Sequence, residues 1–235
     1  MFSLSGGFSS AAFRDPAKRD ELVFSYTKAY NTVLEKKDHA DTLCMIGGAG
    51  YSYPRYIISH YPEKTMDVIE IDGGVTEAAK KYFYLQDFID EYGTDRLGLY
   101  TDDGRLFLAN SDKKYDVIFN DAFSGHTPAR SMSTRETALI IQNSLEPDGI
   151  YASNVIGNFS GYRSLFLRSE IKTLLSVFRF VWLINAEPDN ASDNWILIAS
   201  DTDFGFDSYD YRILEDDIVF TDDYAPVEFF TSDLV

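Results

Sequence analysis

Short apolar runs alternate with amphipathic stretches along most of the chain, the pattern of a parallel sheet wrapped by helices. Residues 19–36 read as a helix, and TLCMIG (42–47) as a short buried strand. Ser52 is placed to cap a helix with Pro54 near its first turn, ending at about His60. TMDVIEID (65–72) is the next strand, followed by a helix from Thr76 to about Tyr84 and a strand at LGLYT (97–101). YDVIFND (115–121) is almost entirely apolar, as a strand buried on both faces must be. A helix from Thr134 to Leu145, a strand at 149–156 and a helix at 164–177 follow. FRFVWLIN and NWILIAS then bracket AEPDNASD as a hairpin, which puts Trp182 and Trp195 on neighbouring antiparallel strands and the loop in solvent. TDDYAPVEFF (221–230) reads as an acidic loop broken by Pro226.

Alternating units that end in a hairpin resemble the Rossmann-like sheet of class I methyltransferases: α/β, seven mostly parallel strands with one antiparallel. A chain of 235 residues, 45% of them hydrophobic, suits one such domain, expected over 19–235 behind a short N-terminal β segment at 1–18. The formal charge of −17 repels phosphate backbones, which argues against a nucleic-acid partner. Acidity either attracts a cationic substrate or serves solubility alone. The single cysteine, Cys44, lies in an apolar run and reads as a small buried hydrophobe. With no basic leader and no apolar run near the ~18 residues of a membrane span, the expected compartment is the cytoplasm.

Four stretches carry candidate chemistry. MIGGAGYSYPRY (45–56) is a strand, a glycine-rich turn and a helix, in which Gly47, Gly48 and Gly50 let backbone N–H groups approach a ligand. The alternative is a tight turn with no ligand; the full G-x-G-x-x-G fingerprint is absent, since Tyr51, Ser52 and Tyr53 follow Gly50. Glu70 ends the second strand, where an acid accepts hydrogen bonds from both ribose hydroxyls and repels a 2′-phosphate, unless it is a solvated strand end. Ile71 follows it, and Asp72 alternates away. After the third strand, Asp103-Gly104 suits an adenine amino group, with Asp103 favoured over Asp102; capping of the next helix is the competing role. Asp121 ends the fourth strand at the edge where open α/β sheets bind ligands, and a carboxylate there needs a cation or an amine to offset desolvation.

In this order the elements resemble the spermidine synthase family, whose glycine loop, EID, DG and DSSDP segments correspond to IGGAGYS (46–52), EID (70–72), DG (103–104) and DAFSG (121–125). Upstream, DELVFSYTKAY (20–30) is similar to the family segment around a functional tyrosine, here Tyr26. The chain departs from the family at Gly50 and Ser124, where the family has aspartates, at Thr27 and Ser9, where it has glutamines, and in its shortened N-terminal region. GGxGYxxPRY, DAFSG and TDDxAPVE look closer to the spermidine-synthase-like soluble domains sometimes fused to membrane transporters.

The resemblance implies an S-adenosyl-type donor, S-adenosylmethionine or its decarboxylated form, with methylthioadenosine as product in the latter case. It also implies a small amine acceptor, Asp121 and Tyr26 as catalytic residues, and a homodimer. No metal is expected, because His39, His60 and His126 lack ligand spacing; His126 follows Asp121 closely enough to touch a substrate. Aminopropyl transfer, methyl transfer and a non-catalytic nucleoside-binding role all remain compatible with these residues. Asp222 and Asp223 either return acidity to the cleft or lie in a surface loop.

Overall fold

The computed structural model describes residues 2–4, 7–124, 127–157, 163–187 and 194–231. In chain order the elements are β1 (Phe2–Leu4), β2 (Gly7–Ser10), α1 (Ser25–Ala29), α2 (Asn31–Lys36), β3 (Thr42–Ile46), α3 (Ser52–His60), β4 (Thr65–Glu70), α4 (Gly73–Tyr82), α5 (Leu85–Tyr92), β5 (Leu97–Thr101) and α6 (Gly104–Ala109). They continue with β6 (Tyr115–Asn120), β7 (Phe123–Ser124), β8 (Thr127–Pro128), α7 (Arg135–Ser144), β9 (Leu145–Ile156), α8 (Arg163–Leu175), β10 (Phe180–Asn185), β11 (Asn194–Ser200) and α9 (Val227–Thr231).

Seven strands form one sheet in the order β10-β11-β9-β6-β3-β4-β5. β9, β6, β3, β4 and β5 are parallel, and β11 runs antiparallel to both of its neighbours. This is the Rossmann-like, methyltransferase-type sheet with one reversed strand. Alternation explains why its strands are apolar throughout. Leu43 and Met45 of β3 enter one core with α2, α3 and α5, while Cys44 and Ile46 enter a second core with α7 and α8. Strand order reverses beside β3, whose neighbours are β6 and β4, and this opens the crevice at the carboxyl edge.

Trp182 and Trp195 lie on the antiparallel pair β10–β11, where Asn185 faces Trp195 and Trp182 faces Ile198. The loop between them, 188–193, and His126 lie outside the described residues. Several boundaries differ from the sequence reading. The first helix begins only at Ser25 and is divided at Tyr30. Ser52 does not cap α3: Tyr51 does, in the left-handed region at φ 54°, while the Ser52 hydroxyl donates to the Ala11 carbonyl at 3.1 Å. α4 starts three residues early because Asp72 caps it, accepting from Gly74 N–H at 2.8 Å. α5 was not anticipated, and the acidic C-terminal loop ends in the helix α9.

Candidate functional site

The site grows from backbone contacts at the ends of β3, β4 and β6. Asp121 N–H continues the β6–β3 ladder by donating to the Ile46 carbonyl at 2.8 Å, and Gly47 N–H donates to the Ile69 carbonyl at 2.9 Å. The glycine loop and the Asp121 backbone therefore meet. Gly47 sits at φ +91°, and a Cβ on it would stand 2.6 Å from the Asp121 carbonyl oxygen, so only glycine fits. A Cβ on Gly104 would stand 2.4 Å from Ile46 Cγ2, which brings the Asp103-Gly104 turn against the same strand end.

Glu70 is a hub of hydrogen bonds at the end of β4. Its Oε2 accepts the N–H groups of Gly48 (2.9 Å) and Ala49 (3.0 Å), and its Oε1 accepts that of Asp72 (3.1 Å). A carboxylate has about four acceptor positions, so these three bonds leave one of them free. Glu70 thus holds the loop in shape, and the solvated strand-end alternative fails because the residue is buried. Ile71 beside it is 71% exposed. Asp103 caps α6 through Leu106 N–H at 3.0 Å, so the capping role is realised by the residue favoured for adenine.

Gly50 behaves differently from its neighbours. Its N–H donates to Ser10 Oγ at 2.7 Å, and a Cβ on it would lie 2.7 Å from Ser10 Cβ. The N-terminal strand therefore closes over this residue. Tyr51 lies fully buried with its ring against Gly48 and its hydroxyl 2.8 Å from Thr76 Oγ1.

Tyr26 and Asp121, both singled out in the sequence, are in direct contact. The Tyr26 hydroxyl donates to Asp121 Oδ2 at 3.0 Å, and Asn154 Nδ2 of β9 donates to Oδ1 at 3.0 Å. Burial raises the Asp121 carboxyl from 3.8 to about 6, against the lowering effect of the Asn154 and Tyr26 hydrogen bonds. Burial and the adjacent Asp121 charge push the Tyr26 phenol well up, so it acts as a neutral donor. Asn154 Oδ1 is buried without a hydrogen-bond partner among the described residues. Sequence reasoning missed Asn154; the available signal was an amide at the inward end of an apolar strand. Nothing in the sequence pointed to Ser10.

The C-terminal segment does not place Asp222 in the cleft. Its carboxylate forms a two-pronged pair with Arg105 (2.7 and 2.5 Å) and accepts from Thr134 Oγ1 at 2.8 Å. Its N–H donates to Glu136 Oε2 at 3.0 Å. Asp222 thereby clasps the start of α6, next to Asp103, to the segment that leads from Asp121 into α7. Among the described residues no His, Cys, Asp and Glu side chains form a metal-ligand group, and no helix is long and apolar enough to cross a membrane.

A polyamine aminopropyltransferase of Vibrio vulnificus is 27% identical over 164 residues, covering 66% of this chain and 52% of the relative. The chain spans about half the length of the curated relatives it matches, as with those of Methanocaldococcus jannaschii and Bacillus subtilis. The crystal structure of a probable spermidine synthase from Corynebacterium glutamicum superposes with a TM-score of 0.66 at 24% identity, over 78% of this chain and 66% of that one. A spermidine synthase in complex with the transition-state analogue AdoDATO gives 0.65 at 20% identity, over 88% and 71%. These likenesses show the fold. The spermine/spermidine synthase domain matches residues 25–181, and by that match, well over half of its length, the chain belongs to this family.

Proposed function

We propose that the chain binds an S-adenosyl-type donor in the crevice between β3, β4 and β6 and transfers its alkyl group, an aminopropyl group, to an amine beside Asp121. The observation that carries this reading is the Tyr26–Asp121–Asn154 cluster at the mouth of the glycine loop: a desolvated carboxylate raised to about 6, held by two neutral donors. A base of that pKa is ionised at neutral pH and takes a proton readily. The donor's sulfonium supplies the electrophilic carbon. The amine lone pair forms the new C–N bond as the C–S bond breaks, its electron pair passes to sulfur, and the proton released from nitrogen goes to Asp121. Tyr26 holds the Oδ2 side of the base and Asn154 the Oδ1 side, so their role is orientation.

The residues present fit such a donor. Glu70, at the end of β4, has one acceptor position free, exposed Ile71 would offer a surface to the base, and Gly47, Gly48 and Gly104 keep the backbone close. Methyl transfer is the second reading, favoured by Gly50: its position carries no carboxylate to hold a donor amine and is covered by Ser10. Calorimetry with S-adenosylmethionine, its decarboxylated form, methylthioadenosine and NAD tests both readings. Preference for the decarboxylated donor, with methylthioadenosine released on adding an amine, supports aminopropyl transfer. Preference for S-adenosylmethionine supports methyl transfer, and tighter binding of a dinucleotide refutes both. Glu70→Ala should weaken nucleoside binding by about 1–3 kcal/mol, since it removes a charged acceptor and frees the loop.

A further inference from the structure

A second cleft lies at the opposite edge of the sheet from the crevice, where β6 and β9 begin and β11 ends. It encloses about 400 Å³, within the range that holds a small molecule. One wall is held by Gln142 of α7, whose Nε2 donates to the Val177 carbonyl at 3.0 Å and to Asp201 Oδ2 at 2.8 Å. Asp201 Oδ1 accepts Arg179 N–H at 3.0 Å. Two neutral donors therefore fix this carboxylate, and among the described residues it has no ion pair. Glu146 lines the same cleft, exposed and equally without an ion pair among the described residues. The carboxyl end of α7 adds negative potential, because its last carbonyls have no partner within the helix. Lys114 is the one basic side chain among the described residues on the lining, and its ammonium donates to the Asn143 carbonyl at that helix end. Two carboxylates thus share the cleft with a single cation that is already committed elsewhere. The rest of the wall includes Leu145, Pro147 and Phe178.

We infer that this cleft binds a short aliphatic diamine as its dication, at a site separate from the crevice. Glu146 and Asp201 each supply a carboxylate for one ammonium, and Leu145, Pro147 and Phe178 supply apolar surface for the methylenes. A monoamine would leave one carboxylate without a partner. A bare metal ion is served less well, since no group of three His, Cys, Asp or Glu side chains is gathered among the described residues. An anion would meet two carboxylates and a helix carboxyl end, all of which repel it. The inference does not depend on the alkyl-transfer reading, because this cleft and the cavity beside Asp121 share no lining residue.

The test is a heteronuclear NMR titration near neutral pH with 1,4-diaminobutane, 1-aminobutane and magnesium chloride, at constant ionic strength so that screening is equal in every arm. The diamine should shift the backbone amides of Lys114, Asn143, Glu146 and Gly149 along a saturable curve. The monoamine and magnesium should bind at least about fivefold more weakly, and Glu146→Gln should weaken the diamine by about the same factor, the size of one solvent-exposed ion pair. Lys114→Met, which removes the competing cation, should tighten it. Glu215→Gln removes an equal charge from a surface outside the cleft and should change nothing. Absence of saturable shifts at those amides overturns the inference, as do shifts confined to the surroundings of Tyr26 and Asp121. Equal affinity for the monoamine or for magnesium overturns it too, and so does a Glu215→Gln effect as large as that of Glu146→Gln, which would reduce the binding to diffuse surface charge.

Discussion

Asp121→Asn should make the protein more stable and less active at the same time, in a way that depends on pH. Burial raises the Asp121 carboxyl from 3.8 to about 6, so the folded chain holds this proton more tightly than the unfolded chain does. The stability associated with the protonated group is fully present below the unfolded value, near 4, and is lost as pH rises through about 6. At about 1.36 kcal/mol per pKa unit, ionised Asp121 costs the fold about 3 kcal/mol at pH 8 and about half as much at pH 5. Asparagine carries no charge and keeps the shape. Its oxygen accepts from Asn154, and its NH₂ donates to a Tyr26 oxygen that must turn its own hydrogen away, which reduces the gain. The variant should therefore be stabilised by about 1–3 kcal/mol at pH 8, roughly 2–10 °C in Tm for a chain of this size, with a clearly smaller gain at pH 5. Urea unfolding at the two pH values measures this directly. The same variant should lose about 10²–10⁴-fold in turnover while nucleoside binding barely changes. Equal stability shifts at both pH values, or destabilisation at pH 8, would refute the desolvated-base argument; unchanged turnover would exclude Asp121 as the base.

Gly47→Ala should cost about 2 kcal/mol or more in urea unfolding, because a Cβ at φ +91° meets the Asp121 carbonyl at 2.6 Å; a neutral result would contradict the close approach. Asp222→Ala should change global stability by less than about 1 kcal/mol, since its pair with Arg105 is partly solvated, yet it should speed amide exchange over residues 127–136; unchanged exchange would show that the clasp does not restrain that segment. Burial raises the Glu170 carboxyl from 4.5 to about 8 and leaves Oε2 without a partner among the described residues, so wild-type stability should fall as pH rises from about 5 to about 8 and level off above. Glu170→Gln should flatten that fall, and an unaltered pH profile would count against a protonated Glu170.

Periodicity determined the sheet because a strand buried on both faces must be apolar at every position, as β3 and β6 are. The same local logic exposed Glu70 and Asp121, since an acid ending such a strand stands out against its neighbours. Tyr26 was legible only through resemblance: no local pattern connects it to a residue 95 positions away. Boundaries such as the start of α4 shifted because a cap depends on which side chain, here Asp72, reaches the backbone. Tertiary structure alone decided the rest. Asn154 reaches Asp121 because β9 pairs in parallel with β6, and Ser10 reaches Gly50 because the N-terminal strand folds back over the glycine loop. Asp222 left the cleft because Arg105 and Thr134 converge on it from two other elements. Sequence patterns report which face of an element is buried, whereas a side chain's partner across the fold is fixed only when strand order and register bring distant segments together.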